Sequence, residues 1–112
     1  MPEDDFSPCK LNEYKGRFSL LFVAFDEAFV RLAETYGGQG GGYSLQAMVE
    51  AVADIEAIEM PGLTFDSEAD MFVARGDKSA LRIVAEIVRR VLGDRGLADK
   101  AIVHSRERGH FD

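Results

Sequence analysis

The chain has 112 residues, 46% of them hydrophobic, and 13 Lys and Arg stand against 20 Asp and Glu for a net charge of −7. That length suits one domain around one core, and a single cysteine, Cys9, leaves no partner for an internal disulfide. The acidic balance disfavours nucleic acid and anionic lipid as partners, and no apolar run approaches the roughly 20 residues that span a bilayer.

The opening Met1-Pro2-Glu3-Asp4-Asp5 is acidic where a secretory or mitochondrial leader would be basic. Together with the lone thiol it points to a cytoplasmic protein. Residues 1–8 are polar and proline-marked and are expected to be loose. Lys10 to Tyr14 reads as a short strand, Lys15-Gly16 as a turn and Arg17 to Phe25 as the strongest strand of the chain. Phe18, Leu20, Phe22 and Ala24 would line one side of it, and Ser19, Leu21, Val23 and Phe25 the other. Both sides are nearly apolar, as in a central strand or one whose second face is covered.

Asp26 is suited to cap a helix whose apolar positions are Phe29, Leu32, Ala33 and Tyr36 and which Gly37 closes. After the glycine-rich segment Gly37 to Gly42, Ser44 is expected to cap a second helix running to about Ala57. Its seam is Leu45, Met48, Val52 and Ile55, with Glu50 and Asp54 one turn apart on the outward side. Pro61-Gly62 breaks that helix. Leu63 to Phe65 and Met71 to Arg75 then read as strands of a hairpin around Asp66-Ser67-Glu68-Ala69-Asp70. Asp77 caps the third and longest helix, ending near Gly93, with Leu81, Val84, Ile87, Val88 and Val91 inward and a ladder of Arg82, Glu86 and Arg90 outward. Residues 94–104 suggest a short basic helix, and the tail 105–112 a loose end.

The fold expected is therefore α+β over 1–112 as a single domain, an antiparallel sheet of about four strands with helices packed on it, in the order ββααββα(α). Leu20, Phe22, Leu81, Val84 and Val88 are the expected core.

Several motifs invite chemistry and fall short of it. Gly37, Gly42 and Ser44 have the spacing of a phosphate-binding loop, but Tyr43 stands where its lysine must be, and the segment follows a helix rather than a strand. His104 and His110 with Asp112 or Cys9 make a poor zinc set. Cys9 has no histidine nearby in sequence to activate it. Asp66, Glu68 and Asp70 alternate as at the start of a calcium loop, but Met71 and Asp77 occupy the places of its glycine and glutamate. The residues thus assign no catalytic, metal or cofactor site, and the chain reads as a binder rather than an enzyme.

Charge distribution is more pointed. No Lys, Arg or His falls between Leu32 and Ala74, where Glu34, Glu50, Asp54, Glu56, Glu59, Asp66, Glu68 and Asp70 do. Such a stretch attracts a basic partner. Doubling back at Pro61-Gly62 would bring Glu50 and Asp54 beside Asp66, Glu68 and Asp70 as one partner-binding surface.

Two segments carry a resemblance. Gly40-Gly41-Gly42-Tyr43-Ser44-Leu45 opening a helix, and Thr64 to Ala74 leading towards the helix from Ser79, together resemble the immunity protein 51 family over about Phe18 to Ile102. The resemblance implies a bacterial immunity protein, encoded beside a polymorphic toxin and inhibiting it by binding, with no catalytic residues. The partner expected is a cognate, basic toxin, bound through the acidic surface. Two other readings compete with it. One is a small-ligand-binding or enzymatic domain with a pocket between sheet and helices. The other is a homodimer formed through the two-sided strand Arg17 to Phe25.

Overall fold

A computed structural model describes residues 6–38 and 40–108. The expected Lys15-Gly16 turn joins β1 (Lys10–Tyr14) to β2 (Arg17–Phe22). Its two residues have φ of 52° and 77°, the doubly positive pair that lets a two-residue turn follow the twist of its strands. β3 (Thr64–Phe65) and β4 (Phe72–Gly76) form the second hairpin. β4 lies antiparallel between β2 and β3, so the single sheet has the order β1-β2-β4-β3.

Register decides what the two sheet faces carry. Leu20 pairs with Ala74 and Phe22 with Phe72, and all four are buried because α2 (Gly42–Ile55) and α3 (Lys78–Gly93) pack on that side. The alternate set, Asn12, Tyr14, Arg17, Ser19, Thr64 and Arg75, faces away from the helices, and Tyr14 is 70% exposed.

β2 is central, between β1 and β4, which is one of the two arrangements its two-sided apolar run allowed. Its second face is only partly open, since Val73 is 3% exposed and Leu21 half-buried there. The end of the expected strand is not covered. The reason is that β2 stops at Phe22. Val23 is left 63% exposed, and the Phe25 ring turns back onto Phe22 and Phe29, with centroids 5.1 and 5.4 Å away.

Asp26 caps α1 (Glu27–Thr35) by accepting the Phe29 N–H at 2.8 Å, and Asp77 caps α3 by accepting that of Ala80 at 2.9 Å. Leu81, Val84 and Val88 are fully buried beneath the sheet. The outward ladder of α3 does more than pair with itself. Arg90 reaches α2 and donates from Nη1 and Nη2 to Glu56 at 2.8 and 2.5 Å, while Arg82 lies over the ring of the buried Phe6. Arg89 donates to the Ser7 carbonyl at 2.6 Å, so residues 6–8 are fastened along α3. Residues 1–5 lie outside the described residues.

Two helix boundaries differ from expectation. α2 begins at Gly42 with Gly41 as its cap, and Ser44 sits inside the first turn, buried, its hydroxyl accepting the Gly40 N–H at 3.0 Å. α4 (Arg95–Glu107) runs past residue 104, because Ala98, Ala101, Ile102 and Ser105 recur at helical spacing and are all buried. Ala101 and Ile102 join the core cluster alongside α2, whose Ala47 and Ala51 are small enough to let a neighbouring helix approach. Of the tail expected to be loose, residues 105–107 are helical, and residues 109–112 lie outside the described residues.

Candidate partner-binding face

The glycine-rich segment explains how α2 is placed. A Cβ on Gly41 would lie 1.7 Å from the Ala69 carbonyl oxygen, and one on Gly42 would lie 2.1 Å from both the Glu68 and the Met71 carbonyl oxygens. The helix start can press against the hairpin turn only because both residues lack a side chain. Gly42 also donates its N–H to Ala69 at 3.1 Å, so a carbonyl of the turn occupies one of the unpaired N–H groups that a phosphate would need.

Glu68 and Met71 exchange backbone hydrogen bonds at 2.7 and 3.3 Å and close the turn. Behind it, buried Ser67 accepts the Val73 N–H at 3.1 Å. The hairpin consequently runs beside α2, its turn at the start of the helix and Phe65 in a groove with Ala53 and Ile58 near the helix end.

The five acids singled out in the sequence do not share one fate. Asp54 meets His104 Nε2 at 2.6 Å and accepts from Arg108 Nη1 at 3.0 Å. Asp66 pairs with Arg75 at 3.0 Å across the hairpin. Glu50, Glu68 and Asp70 are exposed and make no ion pair among the described residues. The stretch without a base in sequence is thus partly neutralised in space by Arg108 at the end of α4 and Arg75 of β4. Glu56 is neutralised too, since the Arg90 hydrogen bond holds its carboxyl below the usual glutamate range and lifts the guanidinium in turn.

Glu50 and Asp54 stand on a ridge between two clefts. One, about 220 Å³, opens between α2 and α4 over Ala47 and Ala51, with His104, Ser105 and Arg108 opposite. Ser105 is 2% exposed and its hydroxyl has no hydrogen-bond partner among the described residues. The other, about 620 Å³, lies between the end of α2 and β3 and is lined by Ile58, Met60, Leu63 and Phe65. Sequence reasoning missed this groove, although a signal was present: four apolar side chains in and beside a connection that would ordinarily be polar.

The remaining candidates are placed as follows. Cys9 is half-buried against the core, and burial pushes its thiol up to about 12 against a weaker pull from Arg89. A nucleophile needs the reverse shift. His104 is engaged with Asp54, while His110 and Asp112 lie outside the described residues. Among the described residues no three His, Cys, Asp or Glu side chains are grouped to hold a metal ion, and no helix is long and apolar enough to cross a membrane. The interface between sheet and helices is filled by Leu20, Phe72, Leu81 and Val84, each fully buried.

No curated protein and no solved structure gives a significant match to the chain. A family model described as immunity protein 51 matches residues 9–107, from the approach to β1 through the end of α4. The described fold is covered almost entirely by that match, and the chain belongs to the immunity protein 51 family.

Proposed function

We propose that this protein is a cytoplasmic immunity protein that neutralises a cognate toxin by binding it through the flank formed by α2 and the hairpin. The observation that carries the reading, beyond family membership, is the state of the acids there. Glu50, Glu68 and Asp70 are exposed and have no cation of their own among the described residues, so their field is available to a basic partner. Asp54 lies on the same flank and could exchange Arg108 for a cation of the toxin, whereas Asp66 pairs with Arg75 on the sheet face turned away from α2. An inhibitor that works by occlusion needs a stable scaffold and a complementary patch, and acids at the rim speed association more than they lengthen residence.

The test is binding to the toxin domain encoded beside its gene, followed at low and high salt. Glu68→Lys and Asp70→Lys should slow association and flatten its salt dependence, with dissociation little changed and stability within about 0.5 kcal/mol of the parent. Unchanged association in both variants would remove the hairpin acids from the interface. A parent protein that neither binds that toxin nor protects cells from it would defeat the function itself.

A further inference from the structure

We infer that the groove between the end of α2 and β3 is the anchor site of this surface, and that it takes an apolar or aromatic side chain flanked by lysine or arginine on the toxin. The inference rests on the proposed function and specifies its partner chemistry. The floor consists of Ile58, Met60, Leu63 and Phe65, each packed against the core on one side and partly in water on the other. Three of the four lie in the connection between α2 and β3.

The connection is held rigid by its own hydrogen bonds. Ile58 donates its N–H to Ala53 at 2.8 Å and Ala57 to Asp54 at 3.3 Å, the paired pattern that ends a helix on a left-handed residue. Leu63 donates to Met60 at 3.3 Å across Pro61-Gly62, where Gly62 has φ of 75°. Proline followed by a positive-φ glycine is the arrangement of a type II turn. The apolar side chains therefore project from a backbone already fixed, and ordering them on binding costs little. Ala53 and Ala57 leave the groove its width.

Charge selects the occupant. Glu50 and Glu59 rim the groove together with Asp54, which is paired to Arg108, and among the described residues no lysine, arginine or histidine lines it. A desolvated anchor sealed from water by weaker contacts around it is the usual form of a binding hot spot, and rim charges of one sign favour partners of the other. A second copy of this chain is disfavoured, because a protein of net charge −7 would bring like charges together.

The experiment uses the full chain and the toxin domain from the adjacent gene. Ile58→Ala and Met60→Ala should each weaken binding tenfold or more, chiefly through faster dissociation. Glu59→Lys, on the exposed rim, should slow association several-fold. Tyr14→Ala, on the sheet face turned away from the helices, should bind as the parent does. Hydrogen exchange on the unmutated protein supplies a reading that no folding defect can disturb: amides of residues 57–63 should be protected by toxin. Binding within twofold of the parent for folded Ile58→Ala and Met60→Ala, or unprotected amides in a formed complex, would overturn the groove while leaving the function standing. Protection of the same amides by raising the concentration of this protein alone would assign the groove to a second copy and overturn the inference. Failure of the parent to bind would instead strike the function on which it rests.

Discussion

Gly42 gives its backbone N–H to the carbonyl oxygen of Ala69 at 3.1 Å, which fastens the start of α2 to the tip of the acidic hairpin. Alanine at a helix start normally helps, because glycine is the less favourable residue by about 0.5–1 kcal/mol. Here the sign should invert. The added Cβ would lie 2.1 Å from two backbone carbonyl oxygens, and backbone cannot step aside as a flexible side chain can. Gly42→Ala should therefore cost about 3 kcal/mol or more, at or beyond the top of the overpacking range. Gly93→Ala is the control, since nothing lies within 4 Å of its added Cβ; it should be neutral or gain up to about 1 kcal/mol. Urea denaturation of the pair measures both.

The ends of α1 and α2 use one hydrogen-bond pattern with different residues. Gly38 donates to Ala33 and Gly37 to Glu34, as Ile58 does to Ala53 and Ala57 to Asp54. The left-handed position is Gly37 at φ 89° in the first case and Ala57 at φ 54° in the second. A left-handed non-glycine residue costs roughly 1–2 kcal/mol, and glycine's extra unfolded freedom gives back about 0.5–1. Ala57→Gly should stabilise by about 0.5–1 kcal/mol, a few degrees in Tm for a domain this size. A lower Tm in calorimetry would mean that the Ala57 methyl contributes packing that outweighs the strain.

Acid should loosen the molecule through Glu56 and Asp77. The Arg90 hydrogen bond depresses the Glu56 carboxyl, and the Ala80 N–H and Ser79 hydroxyl depress that of Asp77. A carboxyl whose folded pKa is lowered binds fewer protons in the native state. It contributes stability above its unfolded pKa and loses it as pH falls through the folded one. Glu56→Gln should lower Tm at neutral pH and flatten its decline below the ordinary glutamate range. Parallel Tm profiles of variant and parent across that range would show that the Glu56–Arg90 pair does not contribute.

Legibility in the sequence followed the range of the interaction. The caps Asp26 and Asp77, the Lys15-Gly16 turn and the pairing of the 63–65 and 71–75 segments are local, and the structure has them where the residues indicate. The position of α2 was not legible at its first residue. Ser44 has the chemistry of a cap, but the contact that fixes the helix is between two backbones distant in sequence. The acidic stretch was visible as a run without bases, yet Arg75 and Arg108 reach into it from outside the run. The apolar groove was harder to read because Ile58 and Met60 lie in a connection without a period of its own, Leu63 and Phe65 come from a very short strand segment, and only folding sets the four side by side.

The strand order carries a consequence for how the chain assembles itself. β1 and β2 close through a two-residue turn, and β3 and β4 through another short one, so each hairpin can form early and on its own. The central seam between β2 and β4 joins segments separated by all of α1 and α2. Closing that long loop must precede the reward of burying Leu20 and Phe22 against Phe72 and Ala74, and topology of this kind slows folding. Until the seam closes, β2 offers an unpaired edge to other chains, a hazard that grows with concentration. The window of vulnerability lies on the folding pathway, and the speed with which β4 arrives decides how long it stays open.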